Sequence, residues 1–112
     1  MLNDNCLFCK IIQGKILSAK VYEDEYMLVF KDIEPKAKVH LLAVPKTHFA
    51  LLSDMDGEGA KMLAHIFKKI PEVAAANGCE KGYRLVINQG EDAGQTVHHL
   101  HVHILGGQTL DW

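Results

Sequence analysis

The 112-residue sequence lacks any long apolar segment. No stretch approaches the roughly 20 apolar residues that a helix needs to span a bilayer, so we expect no association with a membrane. Residues 1–5 are polar and lack the basic and apolar regions of a secretory signal peptide. These absences predict a cytoplasmic protein.

A surplus of basic residues is absent as well. The 12 Lys and Arg residues are opposed by 14 Asp and Glu residues, which gives a formal net charge of -2 at pH 7. Nucleic-acid-binding domains usually concentrate positive charge on one face. We therefore expect no nucleic-acid partner.

The sequence also lacks repeats, linkers and low-complexity segments, and its length fits a single domain over residues 1–112. An odd number of cysteines, three, in a chain without an export signal argues against a disulfide framework. Cys6 and Cys9 form a C-x2-C pair, whereas Cys79 stands alone. The pair fits either half of a tetrahedral zinc site or two reduced thiols.

The most informative stretch is residues 97–105, in which three histidines alternate with apolar residues. Side chains on a β-strand alternate between faces with a period of two, so a strand would put His99, His101 and His103 on one face. A helix would spread them around its circumference. The opposite face of the strand would carry Leu100, Val102 and Ile104 against a core.

Three aligned imidazoles can serve as a nucleophile, as acid–base groups or as metal ligands. Burying them without such a role is costly, since every ring nitrogen needs a polar partner. The alternatives are a surface histidine cluster or a remnant purification tag. A tag is disfavoured because the histidines alternate with aliphatic residues typical of a core.

Hydrophobic periodicity and turn residues predict the other elements. We expect a short helix over 6–14, capped by Asp4 or Asn5, and a long helix over about 54–78 that Pro71 kinks or deprives of one hydrogen bond. Strands are predicted at 21–23, 26–30, 40–44, 82–88 and 97–105, with a Gly-rich loop at 89–95. This order predicts an α+β fold with an antiparallel five-stranded sheet, one long helix and one short helix.

Residues 94–105 resemble the histidine-triad motif, His-x-His-x-His followed by two apolar residues. Other segments are similar to the family pattern in order and spacing: Phe8-x-Lys10-Ile11-Ile12, Phe30-x-Asp32-Ile33-x-Pro35, His40-x-Leu42-x-Val44-Pro45-Lys46 and Asn88-x-Gly90. The resemblance covers nearly the whole chain and implies a single histidine-triad (HIT) domain. It also implies a homodimer whose two sheets join into one.

The end of the chain distinguishes branches of the family. Leu105-Gly106-Gly107 resembles the Hint branch of nucleotide-binding proteins, whereas the branch that cleaves dinucleoside polyphosphates typically has Pro-Arg there. Trp112 resembles a Hint tail, which reaches the nucleotide site of the partner subunit. The resemblance therefore implies a Hint-type protein.

The resemblance also assigns catalytic roles. It implies that His101 is the nucleophile and that His103 contacts the non-bridging phosphate oxygens, with His99 opening the triad and His40 as a fourth, orienting histidine. A neutral imidazole suits attack on phosphorus because it needs no deprotonation near pH 7. We expect a main-chain carbonyl to hold the proton on one ring nitrogen of His101.

The resemblance implies separate groups of residues for the phosphate, the ribose and the base of a nucleotide. Phosphate contacts are expected from the loop before the triad, which contains Gly94, Gln95, Thr96 and Val97, with support from Asn88. Asp32 would accept hydrogen bonds from the ribose hydroxyls, although its sequence context alone favours a loop-capping aspartate. The base pocket would be walled by Phe8, Ile11, Phe30, Ile33 and Leu42, most of which are equally plausible as core.

A structural zinc ion is also implied. Some family members of prokaryotic type carry a Cys-Cys-His-His set, and the matching residues here are Cys6, Cys9, His48 and His99. The alternative is a pair of reduced thiols with His48 exposed. A redox C-x-x-C is disfavoured because no thioredoxin-like strand precedes it.

Together these features predict a hydrolase of purine nucleoside 5'-monophosphoramidates or related adenylate conjugates. Its reaction would pass through a nucleotidyl-histidine on His101 and release a nucleoside monophosphate, with no metal needed for the chemistry. One alternative is a dinucleoside polyphosphate hydrolase. The other is a zinc-stabilised nucleotide-binding or scaffold protein.

Overall fold

A computed structural model describes residues 2–112 of the chain. Five antiparallel strands form one sheet in the order β1-β2-β3-β5-β4, joined by a short and a long helix. The elements are α1 (Leu7–Ile12), β1 (Lys20–Glu23), β2 (Met27–Lys31), β3 (Val39–Pro45), α2 (Gly57–Ala76), β4 (Tyr83–Val86) and β5 (Val102–Gly106), with 3-10 turns at Leu52–Asp54 and Glu91–Ala93. The predicted α+β fold is confirmed.

The sheet separates two cores because its central strands alternate apolar side chains between both faces. On β3, Leu41 and Ala43 belong to the larger core under α2, whereas Leu42 and Val44 belong to the smaller core under α1. Ile66 and Ile70 of α2 are almost fully buried in the larger core. Each such isoleucine contributes about 1.5–3 kcal/mol to folding.

The long helix begins where its acidic residues predict. Asp56 is the N-cap, and its Oδ1 accepts a hydrogen bond from the backbone N–H of Gly59 at 2.8 Å. The helix continues through Pro71 and ends before Asn77, whose Nδ2 donates to the carbonyl of Val73. Pro71 therefore does not end the helix. Within residues 2–112, no helix has the length and apolar character that a bilayer crossing requires.

Two local predictions were wrong. The cap of α1 is Cys6, whose Sγ accepts from the backbone N–H of Cys9 at 3.4 Å, and not Asp4 or Asn5. The last strand begins at Val102 and not at residue 97. The physical reason is that the backbone before Val102 is outside the β3–β5 ladder, which begins at the pair Ala43 and Val102, and that the N–H of Leu100 donates to Phe49.

Candidate active site and metal centre

The three histidines share one side of the sheet although only His103 lies within β5. The phenyl ring of Phe8 lies 6.0 Å from the ring centre of His99 and 5.0 Å from that of His101. The rings of His101 and His103 are 5.0 Å apart. The intervening residues Leu100, Val102 and Ile104 are buried in the larger core on the other side. The predicted alternation thus persists beyond the strand.

The ring of His101 is held in a single tautomer. Its Nδ1 lies 2.7 Å from the carbonyl oxygen of His99. A carbonyl can only accept, so Nδ1 carries the proton and Nε2 keeps a free lone pair. Burial lowers the pKa of His101, which keeps the ring neutral near pH 7. The main-chain carbonyl expected in this role is provided by the preceding triad histidine.

A second chain of hydrogen bonds fixes His103. The backbone N–H of Lys36 donates to Nδ1 of His40 at 3.0 Å, so the proton of His40 is on Nε2. That Nε2 lies 2.8 Å from Nδ1 of His103 and 3.4 Å from Oδ2 of Asp32. His103 therefore accepts at Nδ1 and carries its own proton on Nε2. Burial lowers the pKa of His40, and it lowers that of His103 to about 4.

The glycine-rich loop before the triad is braced by Gln95. Its Oε1 accepts from the backbone N–H of Gly90 at 2.8 Å, and its Nε2 donates to the carbonyl of Ala50 at 2.9 Å. Gly94 has φ of +78°, a left-handed conformation that favours glycine. The Gln95 side chain is buried and shapes the loop, while Thr96 is exposed.

The C-x2-C pair meets two histidines in a compact cluster. The ligand atoms of Cys6, Cys9, His48 and His99 all lie within 4.8 Å of one another. His99 Nδ1 is 3.4 Å from the Sγ of Cys6 and of Cys9, and His48 Nδ1 is 3.5 Å from the Sγ of Cys9. Zinc bonds of typical length in tetrahedral geometry would put sulfur and nitrogen about 3.6 Å apart. The spacing therefore fits zinc.

Protonation in the cluster suits the same metal. The Nε2 of His99 donates to the carbonyl of Pro45 at 2.9 Å, so its Nδ1 lone pair points at the sulfurs. Burial lowers the pKa of His99 to about 4, which leaves a neutral imidazole. Burial raises the pKa of the Cys9 thiol to about 11, so metal binding must displace a proton from it. This donor set is the one that zinc prefers.

Comparison with known proteins identifies the family. The family model described as "Scavenger mRNA decapping enzyme C-term binding" matches residues 5–110. The chain is 47% identical over 103 residues to Protein HitA of Neisseria gonorrhoeae, a match that covers 92% of this chain and 96% of that protein. The chain belongs to the histidine-triad (HIT) family.

Solved HIT structures resemble this one over almost its whole length. The HIT family hydrolase from Legionella pneumophila Philadelphia 1 has a TM-score of 0.90 and 46% identity, and the match covers 96% of this chain and 97% of that chain. The histidine triad nucleotide-binding protein from Candida albicans has a TM-score of 0.82 and 31% identity, with 96% and 82% covered. The HIT fold is common to all three.

The residues expected around the base of a nucleotide differ in exposure. Four of them, Phe8, Ile11, Phe30 and Leu42, are buried in the smaller core behind the triad. Ile33 is 94% exposed and protrudes from the loop after β2. Ile33 therefore has the most open surface of the set.

The remaining predicted residues lie nearer the edges of the site. Asp32 binds the backbone N–H of Glu34 through Oδ1, as a loop-capping aspartate does, while its Oδ2 faces His40. Asn88 is half-buried. Trp112 is fully exposed, and the guanidinium of Arg84 on β4 lies 5.5 Å from its ring centre.

Three features escaped the sequence analysis. The backbone N–H of Lys36 and the carbonyl of Pro45 set the tautomers of His40 and His99, and no side-chain pattern marks such groups. The third feature is His65 on the long helix. It bonds to Asp24 Oδ2 at 2.6 Å, a contact across 41 positions that periodicity does not reveal.

Proposed function

We propose that this HIT protein hydrolyses purine nucleoside 5'-monophosphoramidates and related adenylate conjugates through a nucleotidyl-histidine on His101. The observation that carries the proposal is the tautomer of His101, whose Nδ1–H donates to the His99 carbonyl and leaves Nε2 free to attack. The similarity to a HIT family hydrolase supports hydrolysis. The similarity to a histidine triad nucleotide-binding protein supports a nucleotide ligand.

The proposed reaction consists of two displacements. The Nε2 of His101 bonds to the α-phosphorus while the phosphorus–nitrogen bond to the amine breaks, and the amine leaves with a proton from the site. Water then attacks the same phosphorus, the bond to His101 breaks, and the mononucleotide leaves as a proton returns to the site. The Nε2–H of His103 donates to the non-bridging oxygens and stabilises their charge in both steps.

The substrate is proposed to lie across the open side of the triad. Within residues 94–97, the backbone N–H groups of Thr96 and Val97 receive the α-phosphate, because those of Gly94 and Gln95 donate to carbonyls of the loop itself. Asn88 supports the loop, and Asp32 accepts from the ribose hydroxyls. The exposed Ile33 covers the purine, with Phe8 behind the triad. A purine would bury apolar surface that Ile33 otherwise leaves in water.

We also assign one structural zinc ion per chain to Cys6, Cys9, His48 and His99. When bound, the ion supplies cross-links between α1, the segment after β3 and the triad. The sulfur–nitrogen spacings of 3.4–3.5 Å support this assignment. No step of the hydrolysis is assigned to it.

The active unit is proposed to be a homodimer. Strand β4 forms one edge of the sheet and leaves the side chains of Tyr83 and Leu85 exposed. Edge strands with exposed apolar side chains favour pairing with a second chain. Such pairing would continue the sheet and would bring Trp112 to the partner's nucleotide site. Sedimentation equilibrium of the wild-type protein tests this assembly.

The decisive experiment is hydrolysis of an adenosine 5'-phosphoramidate with a fluorescent aromatic amine. Wild type is compared with His101→Ala, and His98→Ala serves as the control because His98 is an exposed neighbour outside the ring contacts. We expect His101→Ala to reduce kcat by about 1,000-fold or more while AMP still binds. His98→Ala should keep wild-type turnover.

Other outcomes select the alternatives. Cleavage of dinucleoside polyphosphates without cleavage of the phosphoramidate would move the assignment to that substrate class. Binding of AMP with no turnover of either substrate would indicate a nucleotide-binding or scaffold protein.

A further inference from the structure

His99 belongs to both clusters at once. Its Nδ1 lies next to the sulfurs of Cys6 and Cys9, and its backbone carbonyl accepts a hydrogen bond from Nδ1–H of His101. The candidate metal site and the candidate nucleophile are therefore connected through one residue. The side chain of His99 is completely buried, so any displacement of it moves its neighbours.

The peptide unit between His99 and Leu100 is held at both ends. Its carbonyl oxygen faces Nδ1 of His101 at 2.7 Å, and its N–H, which belongs to Leu100, donates to the carbonyl of Phe49 at 2.7 Å. Phe49 directly follows His48, another residue of the cysteine cluster. The peptide thus begins at one histidine of the cluster, His99, and its partner Phe49 adjoins the other, His48.

The sheet does not provide the same restraint. The ladder between β3 and β5 begins at the pair Ala43 and Val102, so His99 and Leu100 lie outside it. Without metal bonds, the histidines of the cluster contact the sulfurs only at 3.4–3.5 Å. Such contacts are weak compared with metal–ligand bonds, which also fix direction.

We propose that Cys9 and His48 are positioning residues for His101, acting through a bound metal ion that fixes the His99–Leu100 peptide. This inference rests on the proposed function. The metal would bind the side chains of both His99 and His48. The His99–Leu100 peptide, which bonds to Phe49 next to His48, then orients the His101 ring. Removing the metal should therefore slow the attack of His101 on phosphorus without lowering the affinity for the nucleotide.

The magnitude follows from the geometry of attack. A misplacement of about 1 Å at a reacting group can cost about 100-fold in rate. Loosening a single hydrogen-bond acceptor displaces the ring less than that. We expect kcat to fall about 10- to 100-fold, with the AMP Kd unchanged within about twofold, because Gln95 also ties the phosphate loop to itself through the backbone N–H of Gly90.

The cluster can be reached by reagents from solvent. A groove of about 390 Å³ is lined by Cys6 and His48 together with Thr96, Val97 and His98. A small chelator can therefore approach two ligands from the side where the loop meets the N-terminal segment. This allows the metal to be removed and restored in the same folded sample.

The test uses the full-length protein with ring-labelled histidine. We compare zinc-loaded wild type, wild type after chelation, chelated wild type with zinc restored, and Cys9→Ser. Zinc content, the NMR signal of the Nδ1–H of His101, the AMP Kd and phosphoramidate turnover are measured on each. Cys79→Ser is the matched control, since Cys79 is an equally buried thiol outside both clusters.

We expect zinc loss, by chelation or by Cys9→Ser, to broaden or shift the His101 Nδ1–H signal and lower kcat at an unchanged AMP Kd. Restored zinc should reverse both effects, and Cys79→Ser should show neither. An unchanged His101 signal and kcat after zinc loss would overturn the inference. Failure to bind zinc would overturn it, and so would global unfolding of the chelated protein by circular dichroism. If wild type cleaves no phosphoramidate, the proposed function fails, but the NMR signal still decides whether the metal positions His101.

Discussion

Two groups of side chains on the same face of the sheet have similar spacing but different chemistry. The cysteine cluster (Cys6, Cys9, His48 and His99) and the triad-side group (Asp32, His40 and His103) each place their ligand atoms within 4.8 Å of one another. By distance alone, both could hold a metal ion. The groups differ in where the ring protons are.

Backbone partners produce that difference. The carbonyl of Pro45 accepts a hydrogen bond from Nε2–H of His99, so the lone pair of Nδ1 points into the cysteine cluster. The N–H of Lys36 occupies the outer lone pair of His40, so a proton points into the triad-side group. A metal ion needs lone pairs, whereas a hydrogen-bond relay needs a proton. Residue types and distances therefore do not distinguish a metal site from a hydrogen-bond relay here. The backbone partners of the histidines do distinguish them, because they fix where the ring protons are.

Removing the metal from the cysteine cluster is expected to change the free energy of unfolding more than any other test below. A metal that binds only the folded state adds about 4 kcal/mol to the free energy of unfolding when present at about 1,000 times its Kd. Chelation should lower the Tm accordingly, and zinc should restore it. Equal melting curves with and without chelator would contradict the zinc assignment.

Breaking the triad-side relay should lower both the stability and the turnover of the protein. His40→Ala leaves Nδ1 of His103 buried without its donor, at a cost of about 1–3 kcal/mol in the free energy of unfolding. Because His103 can then adopt either tautomer, kcat should fall as well. Chemical denaturation and phosphoramidate turnover measure the two effects. Wild-type kcat in His40→Ala would show that the relay does not orient His103.

Acid should destabilise the metal-free protein in a defined range. The pKa of His99 is about 4 in the folded state, against 6.5 for an ordinary histidine, so the unfolded chain binds more protons between these values. The stability present above pH 6.5 is therefore lost as pH falls towards 4, by about 3 kcal/mol for this fully buried ring. Urea titrations at pH 7, 5.5 and 4.5 test it, and a flat profile would contradict the burial argument.

The smallest effect is expected at a histidine–carboxylate pair outside both groups. Burial opposes the ionisation of Asp24, but hydrogen bonds from His65, from backbone N–H groups and from Tyr22 hold its pKa at about 2. His65→Ala should cost about 1 kcal/mol in the free energy of unfolding, since the pair is only partly buried. Turnover should not change. A change in kcat would mean that α2 influences the triad.

Sequence periodicity predicts which side of the sheet each triad residue occupies, because alternation depends only on local backbone geometry. The same alternation predicts a last strand that begins at residue 97, because periodicity does not reveal that Leu100 bonds to Phe49 and not to a strand neighbour. The four residues of the cysteine cluster came from a family resemblance. Only the fold shows that they converge.

Tautomers lie further beyond the reach of sequence. Every residue except proline has a backbone N–H, so the sequence at Lys36 does not indicate that this N–H sets the tautomer of His40. Gln95 shows a similar limit, because its residue type suits a phosphate contact but its amide is occupied by Gly90 and Ala50. Such roles depend on contacts between distant parts of the chain.

Backbone partners decide which nitrogen of each histidine is protonated, and a single NMR spectrum tests this. Ring ¹⁵N NMR of the zinc-loaded protein at pH 7 should show Nε2–H with metal-bound Nδ1 for His99 and Nδ1–H for His101. It should show Nε2–H for both His40 and His103. Protonated Nε2 on His101, or a metal-bound nitrogen in His40 or His103, would contradict the account.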